Sequence, residues 1–243
     1  MAETFLRPET KSLLGEILEP QYNGSIGRGA AWADGYAHTT EGRFSYQWHW
    51  IDTHDEPPYH CNLNYTKDCA EGGCVVSAIA NQTGILKSCI DQVRAGGNFY
   101  RVKFANVSTE LHAVWDGFIP YYAAKVKTPF SNQSIDPFFE SLVSRIRRDG
   151  FYEAPTTWVA CSDPATPVEC ATTWATESNK WTCEYVYRRL HGDEDLGYNG
   201  YADGGVPIVE LQISKAAYRL ATWLEKLVGA EGPASGMEEI SEL

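Results

Sequence analysis

Glu110-Leu111-His112-Ala113-Val114-Trp115-Asp116 is the stretch that decides how the chain is read. On a helix, His112 and Asp116 fall on one face about 5–6 Å apart at Cβ. Leu111, Val114 and Trp115 supply apolar surface beside them, so the pair would sit against a core. One metal ion would reach both side chains; a solvated ion pair is the other reading of the same spacing, and the stretch alone leaves both open. Its period is helical in either case, and the same period recurs along the chain.

Downstream, Asp136-Pro137 reads as the cap and first turn of a helix to Arg148, with Phe138, Phe139, Leu142, Val143 and Ile146 as its apolar side. Ala171 to Arg189 carries Trp174, Ser178, Trp181 and Tyr185 at helical spacing. Gly204, Gly205 and Pro207 precede a third long helix, whose Val209, Ile213, Ala216, Ala217, Leu220 and Leu224 make one continuous apolar face. Upstream, Pro8-Glu9-Thr10 opens a core helix with Leu13, Leu14, Ile17 and Leu18, closed by Pro20. Val75 to Cys89 is also helical, Phe44 to Ile51 extended or irregular, and Tyr100 to Phe104 a short strand. His54 to Pro58 and Ala95 to Asn98 are turns. The expected fold is mainly α: one multi-helix domain with long loops over residues 1–228, then an acidic Gly/Ala/Ser/Pro/Glu tail, 229–243, expected to be disordered.

The chain has 243 residues, 43% of them hydrophobic and 13% aromatic, enough for one large ordered domain. A formal charge of −12 excludes nucleic-acid binding through a basic surface, so positive charge at such a site would have to come from bound metal ions. No stretch approaches the run of apolar residues that spans a membrane. Of seven cysteines, Cys61, Cys69 and Cys74 cluster in a polar loop and Cys161 and Cys170 bracket a Pro-containing one. Neither group has a His at zinc-finger spacing, which favours disulfides over thiolate metal binding. Five of nine asparagines open a sequon, namely Asn23, Asn64, Asn81, Asn106 and Asn132. About one would arise by chance, so the excess points to a secreted glycoprotein. Met1 to Pro8 carries no apolar core of a signal peptide, and the expectation is either a start lying upstream or a cytosolic form without disulfides.

Three further residues invite chemistry. Asp34 follows Ala30-Ala31-Trp32-Ala33, a setting that predicts a partly buried carboxylate in need of a partner. His49 lies between Trp48 and Trp50, either as a core histidine bonded to backbone or as a ligand. Asp52 would be its partner or an acid that binds ligand.

Trp32-Ala33-Asp34, Trp48-His49-Trp50-Ile51-Asp52, Asp55-Glu56-Pro57-Pro58, Asp68-Cys69 through Gly73-Cys74, Ala78-Ile79-Ala80-Asn81, Gly96-Gly97-Asn98, Leu111-His112 through Trp115-Asp116, and Gln212-Ile213 through Tyr218-Arg219-Leu220-Ala221 span most of the chain. In this order they resemble the motifs of the S1/P1 family of zinc-dependent nucleases. The resemblance implies a helical fold of the phospholipase C/P1 nuclease type holding three zinc ions, secretion, and a monomer. It implies hydrolysis of single-stranded DNA and RNA to 5′-phosphates and removal of 3′-phosphates from nucleotides, by metal-ion catalysis. Three zinc ions would also reconcile an acidic chain with a nucleic-acid substrate.

Carried over by position, Asp34 and His49 match two of four ligands of the first zinc, and Asp34 is also taken as catalytic. His112 and Asp116 match two of three ligands of the second. Asp52 matches the acid that bonds a base, and Trp50 an aromatic position able to stack on it. Ala37 stands where the family often has a basic residue. The family's N-terminal Trp and following His are expected upstream of Met1. Its helix with a His and a bridging Asp, and a further His, has no counterpart in Gly84 to Ala95, whose one acid is Asp91. Two half-sites of two ligands therefore remain, against the three or four protein ligands usual for zinc. A catalytically impaired or dead glycoprotein, or an incorrect gene model, is the competing expectation. A related zinc phospholipase is disfavoured, because Asp52 and Trp50 fit a base pocket and no membrane-binding apolar patch is evident. The resemblance also implies disulfides Cys69–Cys74 and Cys61–Cys183; the loop between Cys161 and Cys170 suggests a third, leaving Cys89 as the odd thiol.

Overall fold

Apolar residues at helical spacing produce the longest element among the described residues, and two of the hydrophobic clusters form along it. The computed structural model describes residues 1–51, 53–69, 71–80, 100–126, 133–192 and 194–228. Asp52, Cys89, Asp91, the Gly-Gly-Asn motif at 96–98, the Asn81 and Asn132 sequons and the tail at 229–243 lie outside them. The described helices are α1 (Pro8–Ile17), α2 (Ile26–Ala37), α3 (Tyr65–Asp68), α4 (Val75–Ala80), α5 (Leu111–Ala113), α6 (Ile119–Ala123), α7 (Asp136–Arg147), α8 (Pro167–Trp181) and α9 (Tyr201–Leu227). One antiparallel hairpin, β1 (Arg101–Phe104) with β2 (Val107–Glu110), pairs Arg101 with Glu110 and Phe104 with Val107. The fold is mainly α, as expected, and none of the described helices is long and apolar enough to cross a membrane.

Helix α9 begins earlier than the sequence suggested. Gly204, Gly205 and Pro207 lie inside it, not before it. Pro207 sits in its second turn and donates no N–H to the carbonyl of Asp203, a loss a helix tolerates best near its start. The glycines are there for close approach. A Cβ on Gly204 would lie 2.2 Å from the Tyr185 hydroxyl, and one on Gly205 2.9 Å from Ile119. Around this end of α9, Tyr201, Ala202 and Val209 pack with Phe104, Leu111, Val114, Phe118, Ile119 and Leu196. Further along, Ala221 packs with Phe5, Leu6, Ile146 and Trp158. Lys215 and Arg219, both buried, pair with Glu177 of α8 at 3.1 and 2.6 Å. Burial pushes the Glu177 carboxyl up, but the bonds from Arg219 and Lys215 outweigh it and hold it below the usual carboxylate range.

Other boundaries shift for identifiable reasons. Residues Arg43–His49 form a 3₁₀ helix where an extended or irregular segment was expected. Asp136 is the first helical residue of α7, with Ile135 as the cap. Thr109 and Glu110 belong to β2, so the helix containing His112 starts at Leu111. α1 is not a core helix on its expected face: Leu13 and Ile17 are exposed, and the helix is anchored through Thr10 and Arg7, both bonded to the fully buried Glu225. Disulfides Cys61–Cys183, Cys69–Cys74 and Cys161–Cys170 are all formed.

Candidate metal and nucleotide site

The hairpin places the first pair of candidate ligands. Asp195 clamps its turn by accepting from the N–H groups of Ala105 and Asn106 at 2.7 Å each and from Gly197 at 2.9 Å. Both turn residues have positive φ, 48° and 67°, the left-handed pair that matches the twist of a two-residue hairpin. Burial nudges the Asp195 carboxyl up, and the bonds from the three N–H groups more than reverse it, holding it low. From Glu110 the chain turns directly into helix. Leu111, Val114 and Ile119 are buried against α9. His112 and Asp116 consequently face outward.

Residues Val114–Phe118 form a π turn between α5 and α6, with Ile119 N–H donating to the Val114 carbonyl. Pro120 has no N–H for the carbonyl of Asp116, so an ordinary α turn would leave that group unpaired. Trp115 donates from Nε1 to the Tyr201 hydroxyl at 3.0 Å, which locks the turn to α9. His112 Nε2 lies 2.8 Å from Asp116 Oδ2, with the side chains 42% and 67% exposed. Two ligands of one tetrahedral zinc stand about 3.3 Å apart for bonds of 2.0–2.2 Å. The pair would need to open by only about half an ångström to share an ion.

Asp34 lies on α2 and His49 on the 3₁₀ helix. Ser25 caps α2 by accepting from Arg28 N–H, and Glu3 takes the Ser25 hydroxyl and Gly27 N–H. Asp34 is exposed on this helix, contrary to the partial burial expected of it. An aromatic ladder joins the two elements: Trp32 stacks on Tyr36 at 4.7 Å, Tyr36 meets Phe44 at 6.3 Å, and Phe44 meets Trp48 at 5.3 Å. His49 is bonded to backbone as one of its two readings required, yet it is exposed and not a core residue. Its Nδ1 lies 3.0 Å from the Ser45 carbonyl and 3.2 Å from that of Tyr46. Carbonyls only accept, so Nδ1 carries the proton and the lone pair belongs to Nε2, the tautomer of a ligating histidine.

Trp50 is half-buried and extended, with Tyr46 edge-on at 4.4 Å and its carbonyl accepting from Val75 N–H. Asp52 follows it, outside the described residues. The next residues are firmly held. Asp68, almost fully buried, accepts from His54 N–H at 3.1 Å, His54 Nδ1 at 2.8 Å and Asn64 N–H at 2.7 Å. Burial raises its carboxyl, but the bonds from Asn64 and His54 prevail and lower it. Asp55 is tied to Thr53, Asn62 N–H and Asn179. Sequence reasoning gave neither Asp68 nor Asp195 an anchoring role. Asp68 stood next to Cys69 in a quoted motif, whereas nothing local marked Asp195, two of whose three partners lie about 90 residues away.

His112 and Asp116 thus touch each other, while Asp34 and His49 lie on two elements joined by the aromatic ladder. Among the described residues, no three His, Cys, Asp or Glu side chains gather to hold one ion.

Comparison with known proteins bears on this pattern. A family model described as S1/P1 Nuclease matches residues 1–95 and 89–229. Nuclease PA3 of a Penicillium species is 30% identical over 261 positions, covering 95% of both chains. Nuclease S1 of Aspergillus oryzae is 30% identical, covering 93% of this chain and 87% of its own, and nuclease P1 of Penicillium citrinum 29%, covering 95% of each. The PA3 alignment is longer than this chain, so the chain carries gaps against that relative. The family match also divides at 89–95, within Gly84 to Ala95, a segment that contains no histidine. With the match running from one end to the other of a helical, disulfide-stapled fold, the chain belongs to the S1/P1 nuclease family.

Proposed function

We propose that the protein is a zinc-dependent endonuclease that cleaves single-stranded DNA and RNA to 5′-phosphates and takes 3′-phosphates from nucleotides. Asp34, His49, His112 and Asp116 are its metal ligands, and Asp34 is also catalytic. The observation that carries this is the His112/Asp116 pair, whose two donor atoms stand 2.8 Å apart on an outward helix face. Zinc at such ligands supplies Lewis-acid polarisation of a phosphate and the positive charge that a chain of net −12 lacks. The chain does the rest. His49 keeps its Nδ1 proton on the Ser45 and Tyr46 carbonyls and so presents Nε2. Trp50 offers a ring face to a base, and Asp52 an acceptor for base N–H groups. The exposed sequons at Asn23, Asn64 and Asn106 support a secreted glycoprotein, monomeric, with residues 1–228 as the nuclease domain.

A second reading rests on the same geometry. Two donors per half-site favour a catalytically impaired glycoprotein that keeps the fold. Zinc bound per chain after exhaustive dialysis, measured together with cleavage of single-stranded DNA, separates the two. About three ions with cleavage supports the nuclease; one or none without cleavage supports the impaired form.

A further inference from the structure

Three of the sequons lie among the described residues, and their surroundings differ. Asn64 uses Oδ1 to accept from Lys67 N–H at 3.2 Å as the cap of α3, while its own N–H is held by Asp68. In the Asn23 sequon, the Ser25 hydroxyl is bound between Glu3 and Arg28 N–H. Asn106 stands at the exposed tip of the β1–β2 turn, and its Nδ2 donates to the Tyr198 hydroxyl at 3.2 Å. Tyr198 is 68% exposed. With Phe104, Val107, Phe118, Tyr121 and Tyr122 it lines a cavity of about 640 Å³.

We propose that Asn106 carries an N-linked glycan whose first N-acetylglucosamine packs on the ring of Tyr198 at the mouth of this cavity. The inference deepens the secreted-glycoprotein reading and rests on it. In the transfer, Nδ2 forms a bond to the anomeric carbon of N-acetylglucosamine in a lipid-linked oligosaccharide. The bond from that carbon to the diphosphate oxygen breaks, the diphosphate leaves with the electron pair, and one amide proton passes to the transferase. Nothing is oxidised or reduced. The C–H face of the sugar is apolar and suits an aromatic face, while Lys125 and Asp203, also on the cavity wall, offer polar partners to its hydroxyls. Because β2 leads straight into Leu111, a sugar braced on Tyr198 would steady the hairpin from which His112 follows.

The test is secretory production of the protein in a eukaryotic host. Enzymatic glycan removal in heavy-oxygen water then marks each occupied Asn as labelled Asp for mass spectrometry. Most of the Asn106 peptide is expected to carry the label. Ser108→Ala removes the acceptor hydroxyl from an exposed strand position and leaves the turn intact; it should abolish the label and lower Tm by about 2–4 °C. In a Tyr198→Ala background the same change should shift Tm by less than half as much, which a double-mutant cycle reads directly. Label at Asn23 or Asn64 without label at Asn106 overturns this inference alone. Absence of label at every sequon overturns it together with the secreted-glycoprotein reading. Equal Tm shifts in both backgrounds overturn the packing on Tyr198.

Discussion

Replacing Asp195 with Ala removes three bonds to backbone N–H groups at once, at 2.7, 2.7 and 2.9 Å. Buried bonds to a charged acceptor contribute about 1.5–3 kcal/mol each, but this carboxylate is only partly buried and water can replace it. About 0.5–1 kcal/mol per bond is the appropriate scale, giving a loss of about 1.5–3 kcal/mol. At this chain length that corresponds to a Tm drop of about 3–12 °C. Asp195→Asn keeps one accepting oxygen and should lose about half as much. The sign of the pH dependence follows from the lowered carboxyl. The folded state binds the proton less readily than the unfolded chain, so the stabilisation is complete above the unfolded value of about 3.9 and fades as pH falls through the lower folded value. Thermal unfolding of wild type and both variants between pH 7 and pH 2.5, with amide hydrogen exchange over 107–110, measures each part. An Asp195→Ala protein with wild-type Tm and unchanged protection of β2 would refute the clamp, as would a gap between wild type and Asn variant that persists at the acid end.

Three other outcomes are expected. His112→Ala should lower cleavage of single-stranded DNA by orders of magnitude and reduce bound zinc; intact activity would sink the ligand assignment. Removing the Cys61–Cys183 bridge by a double change to Ala opens a link between residues 122 apart and should cost about 2–5 kcal/mol, read from denaturant midpoints against wild type. Gly204→Ala places a methyl within 2.2 Å of the Tyr185 hydroxyl, which donates to the Tyr201 carbonyl at 2.7 Å. It should destabilise by about 1–3 kcal/mol despite the better helix propensity of Ala, and Tyr185→Phe should recover part of the loss.

The local contact between His112 and Asp116 was legible in the residues, whereas the surroundings of the other candidates were not. The i,i+4 spacing of His112 and Asp116 survives as a 2.8 Å contact because both lie within one helical stretch. Asp34 was misjudged because burial depends on what covers a helix, and its small neighbours say nothing of that. The 3₁₀ conformation at Arg43–His49 escaped detection because its aromatic residues suit a strand equally well, and only packing on Tyr36 and Trp32 chooses between them.

By itself the sequence determined the helical class, the cysteine chemistry, the family and the identity of the candidate ligands, since each rests on residue type and on spacing along the chain. Only the tertiary structure decided which glycines are forced by contact, which nitrogen of His49 carries the proton, and that Asp68 and Asp195 anchor the segments beside the site. It also decided that no three potential metal-binding side chains gather among the described residues. The physical reason is range: a helical period is written in neighbours a few residues apart, whereas a clamp, a tautomer or a metal cluster is fixed by groups that meet only when distant parts of the chain pack together.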